Sequence, residues 1–102
     1  MPKYTLRAAA KKDLKDIARY TRKKWSIKQR NKYLYALEER LQWLADNPNP
    51  GIPRDDLMEG VMSKQHEKHI IIYRRRGEDI EIGRIFGPGM NIELHFQRDN
   101  PF

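Results

Sequence analysis

The chain has 102 residues, a net charge of +7 and no cysteine. That length holds one hydrophobic core in a single domain over residues 1–102, and the missing cysteines exclude disulfides and thiolate metal sites. Met1-Pro2-Lys3-Tyr4 lacks the apolar core of a signal peptide, and no segment approaches the ~18 apolar residues of a membrane span, so a cytoplasmic protein without membrane contact is expected.

Residues 3–7 (KYTLR) alternate polar and apolar, with Tyr4 and Leu6 on one face, and predict a short first strand. Ala8-Ala9-Ala10 opens a helix with weak capping, since no Ser, Thr, Asp or Asn directly precedes it, although Asp13 and Asp16 favour the positive end of its dipole. Leu14, Ile17, Ala18, Thr21 and Trp25 form its apolar stripe; Lys11, Lys12, Lys15, Arg19, Arg22 and Lys23 cover most of the rest. Ser26-Ile27-Lys28-Gln29 reads as a capping box that starts a second helix after a near-immediate turn. Leu34, Leu37, Leu41 and Leu44 follow at steps of three, four and three, flanked by Tyr33, Tyr35 and Trp43, until Pro48 and Pro50 bound the helix. So short a connection makes an antiparallel helical hairpin. Between Lys11 and Asp46 there are 11 Lys and Arg against 5 Asp and Glu, so this hairpin carries +6 of the net charge. It predicts an acidic partner, either nucleic acid or an acidic protein segment; a solvated basic face with no partner is the plain alternative.

Residues 47–54 (NPNPGIPR) read as a surface connector, residues 55–58 add a helical turn, and residues 60–65 form a strand with Val61 and Ser63 alternating against Met62 and Lys64. Residues 68–96 then organise the fold. Ile70 to Tyr73 is one apolar run, and Ile80, Ile82, Ile85 and Phe86 make a second. The polar, glycine-bearing stretch between them is a hairpin turn, and three consecutive isoleucines suit a central strand. Gly87-Pro88-Gly89 ends the last strand, leaving residues 90–96 as a tail. The order is β-α-α-β-β-β: an α+β domain of an N-terminal strand, an antiparallel helical hairpin and a three-stranded antiparallel sheet.

Few residues could carry chemistry. His66 and His69 are three apart, which strand parity places on opposite faces, so no metal site is expected. Gly87-Pro88-Gly89 lacks the lysine, hydroxyl and following helix of a phosphate loop, and no cofactor is implied. RNA cleavage is the enzymatic option: His69 and His95 for proton transfer, Tyr73 beside them and Arg84 for developing phosphate charge. The structural alternative has the His and Tyr side chains hydrogen-bonded in a small core and Arg84 paired with Glu81 or Glu93.

The ordered residues resemble a known family. Asp13-Leu14-x-Asp16-Ile17-x-x-Tyr20-Thr21-x-x-x-Trp25 resembles the first helix of ParE toxins of bacterial type II toxin–antitoxin modules. The likeness continues through Gln29-Arg30-x-x-Tyr33, Leu44-Ala45-x-Asn47-Pro48-x-x-Gly51, His69-x-Ile71-x-Tyr73, Ile80-x-Ile82-x-Arg84-Ile85 and Met90-Asn91-x-x-x-His95. The resemblance implies the RelE/ParE fold, a ParD-like antitoxin that folds an acidic C-terminal segment onto the toxin, and inhibition of DNA gyrase by binding rather than catalysis. DNA would be contacted only indirectly, through antitoxin or gyrase. Leu14, Ile17, Ala18, Leu37 and Leu41 with Arg22 are then expected to bind the antitoxin, and His69, Arg84, Met90 and His95 the target. The chain departs from the usual ParE pattern Arg-Ile-Leu-His-x-x-Met-Asp at Gly87 and Asn91. A RelE-like ribosome-dependent mRNA endonuclease, or a toxin-fold relative with another target, is the alternative; residues 87–90 offer none of the basic groups that such a nuclease places in this turn.

Overall fold

Both helices form where the stripes and caps predict them. The structure, a computed structural model, describes residues 1–102, with the side chain of Arg22 outside the described residues. Strand β1 (Tyr4–Leu6) leads into helix α1 (Ala8–Lys24), and helix α2 (Ile27–Asp46) follows directly. Arg7 at the head of α1 supplies no side-chain cap. Ser26 Oγ at the head of α2 accepts the Gln29 N–H at 3.2 Å, satisfying one of the helix's free donors. At the far end the Asn47 backbone N–H and Nδ2 both donate to the Trp43 carbonyl before the prolines begin.

The sheet is larger than expected. Strands β2 (Ile52–Pro53), β3 (Val61–His66), β4 (His69–Arg76) and β5 (Asp79–Phe86) join β1 in the order β1-β5-β4-β3-β2. The three long strands are the antiparallel meander read from the sequence. To one side β1 pairs with β5 in parallel, Tyr4 opposite Ile80 and Leu6 opposite Ile82. To the other, two residues of the supposed connector pair with β3; a proline is tolerated there because β2 is an edge strand whose outward N–H has no ladder bond to lose.

One irregularity explains the spacing of β5. Tyr73 faces Ile82 and Ile72 faces Arg84, so Gly83 is the extra residue of a bulge. The bulge flips the strand's parity and lets both Ile82 and Ile85 face the helices. The helix side of the sheet holds the main core, where Leu37, Leu41, Leu44, Ile71, Ile80 and Ile82 are buried. Burying each such side chain contributes roughly 1.5–3 kcal/mol. The other side holds a second, smaller core of Val61, Ile72, Phe86 and Phe96.

Residues beyond 90 are not a loose tail. Asn91 Oδ1 accepts the Leu94 N–H at 3.0 Å and caps helix α3 (Ile92–Arg98), which folds Phe96 and then Phe102 onto the far sheet face. Asn91, one of the two departures from the ParE pattern, is thus a helix cap.

Candidate functional site

The hairpin presents its charge outward. Lys11, Lys12, Lys15, Arg19, Lys23, Lys24, Lys28 and Lys32 are exposed, and so are the large apolar side chains of Tyr20, Ile27, Tyr35 and Trp43. Cations lie against two of these rings, Lys24 Nζ 5.3 Å from the Tyr20 centroid and the Arg40 guanidinium 4.9 Å from Trp43. Of the residues expected to bind an antitoxin, Leu14 and Ala18 are half-buried, whereas Ile17, Leu37 and Leu41 lie inside the sheet–helix core. Their apolar spacing is satisfied by the chain's own sheet. Arg22 lies outside the described residues.

A second set of groups gathers where α1 and α2 meet the ends of β3, β4 and β5. Asp13 is buried and its carboxylate grips Arg84 through Nε at 2.8 Å and Nη2 at 3.0 Å, while also accepting the Ile85 N–H at 2.8 Å. Strand β1 stops at Leu6, so the outer edge of β5 has no strand partner at Ile85, and Asp13 takes the place of that partner. Arg84 is therefore held by Asp13 and not by Glu81 or Glu93, which corrects the pairing read from the sequence.

Strand parity also fails at the histidines. The chain reverses at Glu67-Lys68, with Glu67 at φ +54°, so His66 and His69 become direct cross-strand partners instead of facing opposite ways. Both rings lie beside Tyr33, at 6.0 and 5.6 Å, and Trp25 packs edge-on against the same tyrosine at 5.5 Å. Burial, then the Glu67 charge, pushes the Tyr33 hydroxyl up to about 12. It therefore stays protonated, and it shares a hydrogen bond with His69 Nδ1. Burial, reinforced by the neighbouring His66, holds His69 below the ordinary imidazole value, so it is neutral at neutral pH. A Cβ placed on Gly87 would lie 3.9 Å from both His69 Nε2 and Met90 Sδ, and the Gly87 N–H points to that sulfur at 3.3 Å. His69 and Met90 thus flank Gly87 at one edge. Among the described residues, no group of three or more His, Cys, Asp or Glu is placed to hold a metal ion.

The remaining candidates are elsewhere. His95 sits on α3 against Phe86, ring centroids 5.9 Å apart, and the Arg84 guanidinium lies 4.5 Å from the same ring. Tyr73 is buried and its hydroxyl donates to the Pro48 carbonyl at 2.9 Å. Sequence reasoning passed over Tyr33 as a flanking aromatic and Asp13 as a dipole charge. It named Glu81 only as a partner for Arg84, whereas this mid-strand carboxylate lies opposite Arg74 and has three other arginines around it.

This arrangement of two helices on a mixed sheet has a solved counterpart. The chain superposes on one from the structure described as "Chromosomal ParDE TA system from P. aeruginosa" with a TM-score of 0.72, covering 86% of this chain and 96% of the other at 22% identity. The fold is thus that of a small toxin–antitoxin protein. The family model for "ParE toxin of type II toxin-antitoxin system, parDE" matches residues 4–91. Curated relatives include Toxin ParE1 of Caulobacter vibrioides, 32% identical over 93% of this chain and 98% of the relative. Toxin ParE of Escherichia coli is 30% identical over 90% of each, and Toxin ParE1 of Mycobacterium tuberculosis 28% identical over 89% and 94%. The chain belongs to the ParE family, the toxins of type II toxin–antitoxin systems. No described helix is long and apolar enough to cross a membrane.

Proposed function

We propose that this toxin is held inactive by a ParD-like antitoxin and, when released, inhibits DNA gyrase in the cytoplasm by binding it. One observation carries the choice of binding over catalysis: the groups that could cleave RNA are not gathered at one open site. Tyr73 is inside the core, Arg84 is gripped by Asp13, His69 is hydrogen-bonded to Tyr33, and His95 packs on Phe86 at the far sheet face. What the surface offers instead is the hairpin's mixture of exposed lysines with Tyr20, Ile27, Tyr35 and Trp43, which suits an acidic amphipathic segment that folds on binding. The edge formed by His69, Gly87 and Met90 is left for the target.

A supercoiling assay with purified gyrase tests the reading. Excess free toxin should stop supercoiling and accumulate enzyme-linked broken DNA, and prior addition of the antitoxin should prevent both. Normal supercoiling with no trapped complex would refute it. Messages cleaved in a translation extract, with cleavage lost in His69→Ala or His95→Ala, would replace it with the endonuclease reading.

A further inference from the structure

Strand β4 ends in Arg74-Arg75-Arg76, a run that neither the hairpin nor the target-facing edge uses. These arginines and Arg7 line an open cleft of about 620 Å³, with Met62 and Glu81 in its wall and Glu59 at its rim. Arg74, Arg76 and Glu81 share the sheet face opposite α1 and α2, as the parity of β4 around Ile72 requires. We propose that this cleft binds the phosphate backbone of nucleic acid. The contact is direct, whereas the sequence alone implied only an indirect one, and it does not depend on gyrase being the target.

Glu81 is the feature that makes the cleft a built site. It is 1% exposed, and its two oxygens meet Arg74 Nε at 2.8 Å, Arg76 Nη1 at 3.1 Å and Arg7 Nη1 at 3.5 Å. One carboxylate cannot neutralise three guanidiniums. With Glu59 counted, the three arginines around Glu81 still outnumber the two glutamates, and the cleft remains cationic. Arg7 is further fixed by the Pro101 carbonyl, which accepts from its Nε at 3.0 Å, and Arg74 by the Phe102 ring, 4.5 Å from its guanidinium. Arg75 is tied from the other side by Asn49. Arginines ordered in advance lose less side-chain entropy when an anion arrives.

The chemistry of the lining selects the ligand. All the cations are arginines, whose planar forks match two phosphate oxygens better than a lysine can. No exposed aromatic ring lines the cleft, so it offers no platform for stacking bases and would read backbone only. It is too open and polar to enclose an apolar small molecule. Being on the sheet face away from the hairpin, it stays accessible when a partner covers α1 and α2.

Fluorescence anisotropy of a labelled 20-base-pair DNA duplex with purified toxin tests this. Each arginine that contacts a phosphate steepens the fall of affinity with salt by about one unit of the log–log slope. Arg7→Gln/Arg76→Gln should therefore weaken binding at least tenfold at low salt and reduce that slope by about two. Lys11→Gln/Lys12→Gln removes the same charge from the hairpin and should change affinity less than threefold. The Arg76 side chain is 72% exposed, so Arg76→Gln alone keeps the fold and should reduce the slope by about one. Equal losses in the arginine and lysine variants would show diffuse attraction by net charge and overturn the site. So would displacement of the duplex by inorganic phosphate at matched ionic strength, or by a polyglutamate peptide more effectively than by unlabelled DNA.

Discussion

Asp13 shows how much one side chain can hold. It closes a bidentate pair with Arg84 and caps the Ile85 N–H, joining the first helix to the last strand across 72 residues of sequence. Truncating one partner of a buried pair strands the other charge, which costs about 3–5 kcal/mol, so Asp13→Ala and Arg84→Ala should each lower unfolding free energy by about that amount. The double mutant should be less destabilised than the sum by about 1–3 kcal/mol, because once one partner is gone the other has nothing left to lose. Urea denaturation of all four proteins checks this; strict additivity would show that the two side chains act independently. Gly83 is constrained by sterics instead. A Cβ there would meet the Phe102 ring at 2.5 to 2.9 Å. Gly83→Ala should push Phe102 away and cost about 1–3 kcal/mol, visible as a lower melting temperature and as loss of nuclear Overhauser contacts between Phe102 and β5.

At the scale of elements, the turn joining β3 and β4 is where local preference and tertiary demand disagree. Glu67 adopts φ +54°, a conformation that L residues with a side chain reach at a cost of roughly 1–2 kcal/mol and glycine reaches freely. Glu67→Gly gains that relief against the extra chain entropy of glycine, and should stabilise the protein by about 0.5–1 kcal/mol in thermal melts. This turn also presents the two histidines to α2. Burial and then Arg40 hold His66 low, and burial and then His66 hold His69 low, with Glu67 opposing the first and Asp13 the second. Their folded values lie below the ordinary 6.5, so unfolded chains take up protons first as pH falls. The stability the pair contributes is complete above about pH 6.5 and is lost as pH drops through the lower, folded values. The urea midpoint should therefore decline below about pH 6.5 in the native sequence and decline less in His66→Gln/His69→Gln. An identical decline in both would place the titration elsewhere.

For the molecule as a whole, what could be read from the chain was whatever is periodic, and what could not was whatever joins distant residues. Leu37, Leu41 and Leu44 announced α2 and its buried face, and the isoleucines of β4 announced the central strand. The parallel seat of β1 against β5 has no local signature; its closing bond runs from the Lys3 N–H to Asp79 Oδ1, 76 residues away. At the site, the hairpin's charge was plain from counting. The partners of Asp13, Tyr33 and Glu81 depend on a bulge and a two-residue turn that no composition reveals. The charge itself supports one last expectation. Of the net +7, +6 lies on the hairpin, and its lysines project into water, where their fields reach roughly 10 Å at 0.1 M salt. An acidic antitoxin segment would be steered by that field before touching the surface, whereas its residence would depend on contacts with Tyr20, Ile27, Tyr35 and Trp43. Raising salt from about 0.05 to 0.5 M should thus slow association at least tenfold and change dissociation less than threefold in stopped-flow binding. Tyr35→Ala should do the reverse, leaving the association rate nearly intact and speeding release. An association rate indifferent to salt would mean that the hairpin's charge does not steer the partner.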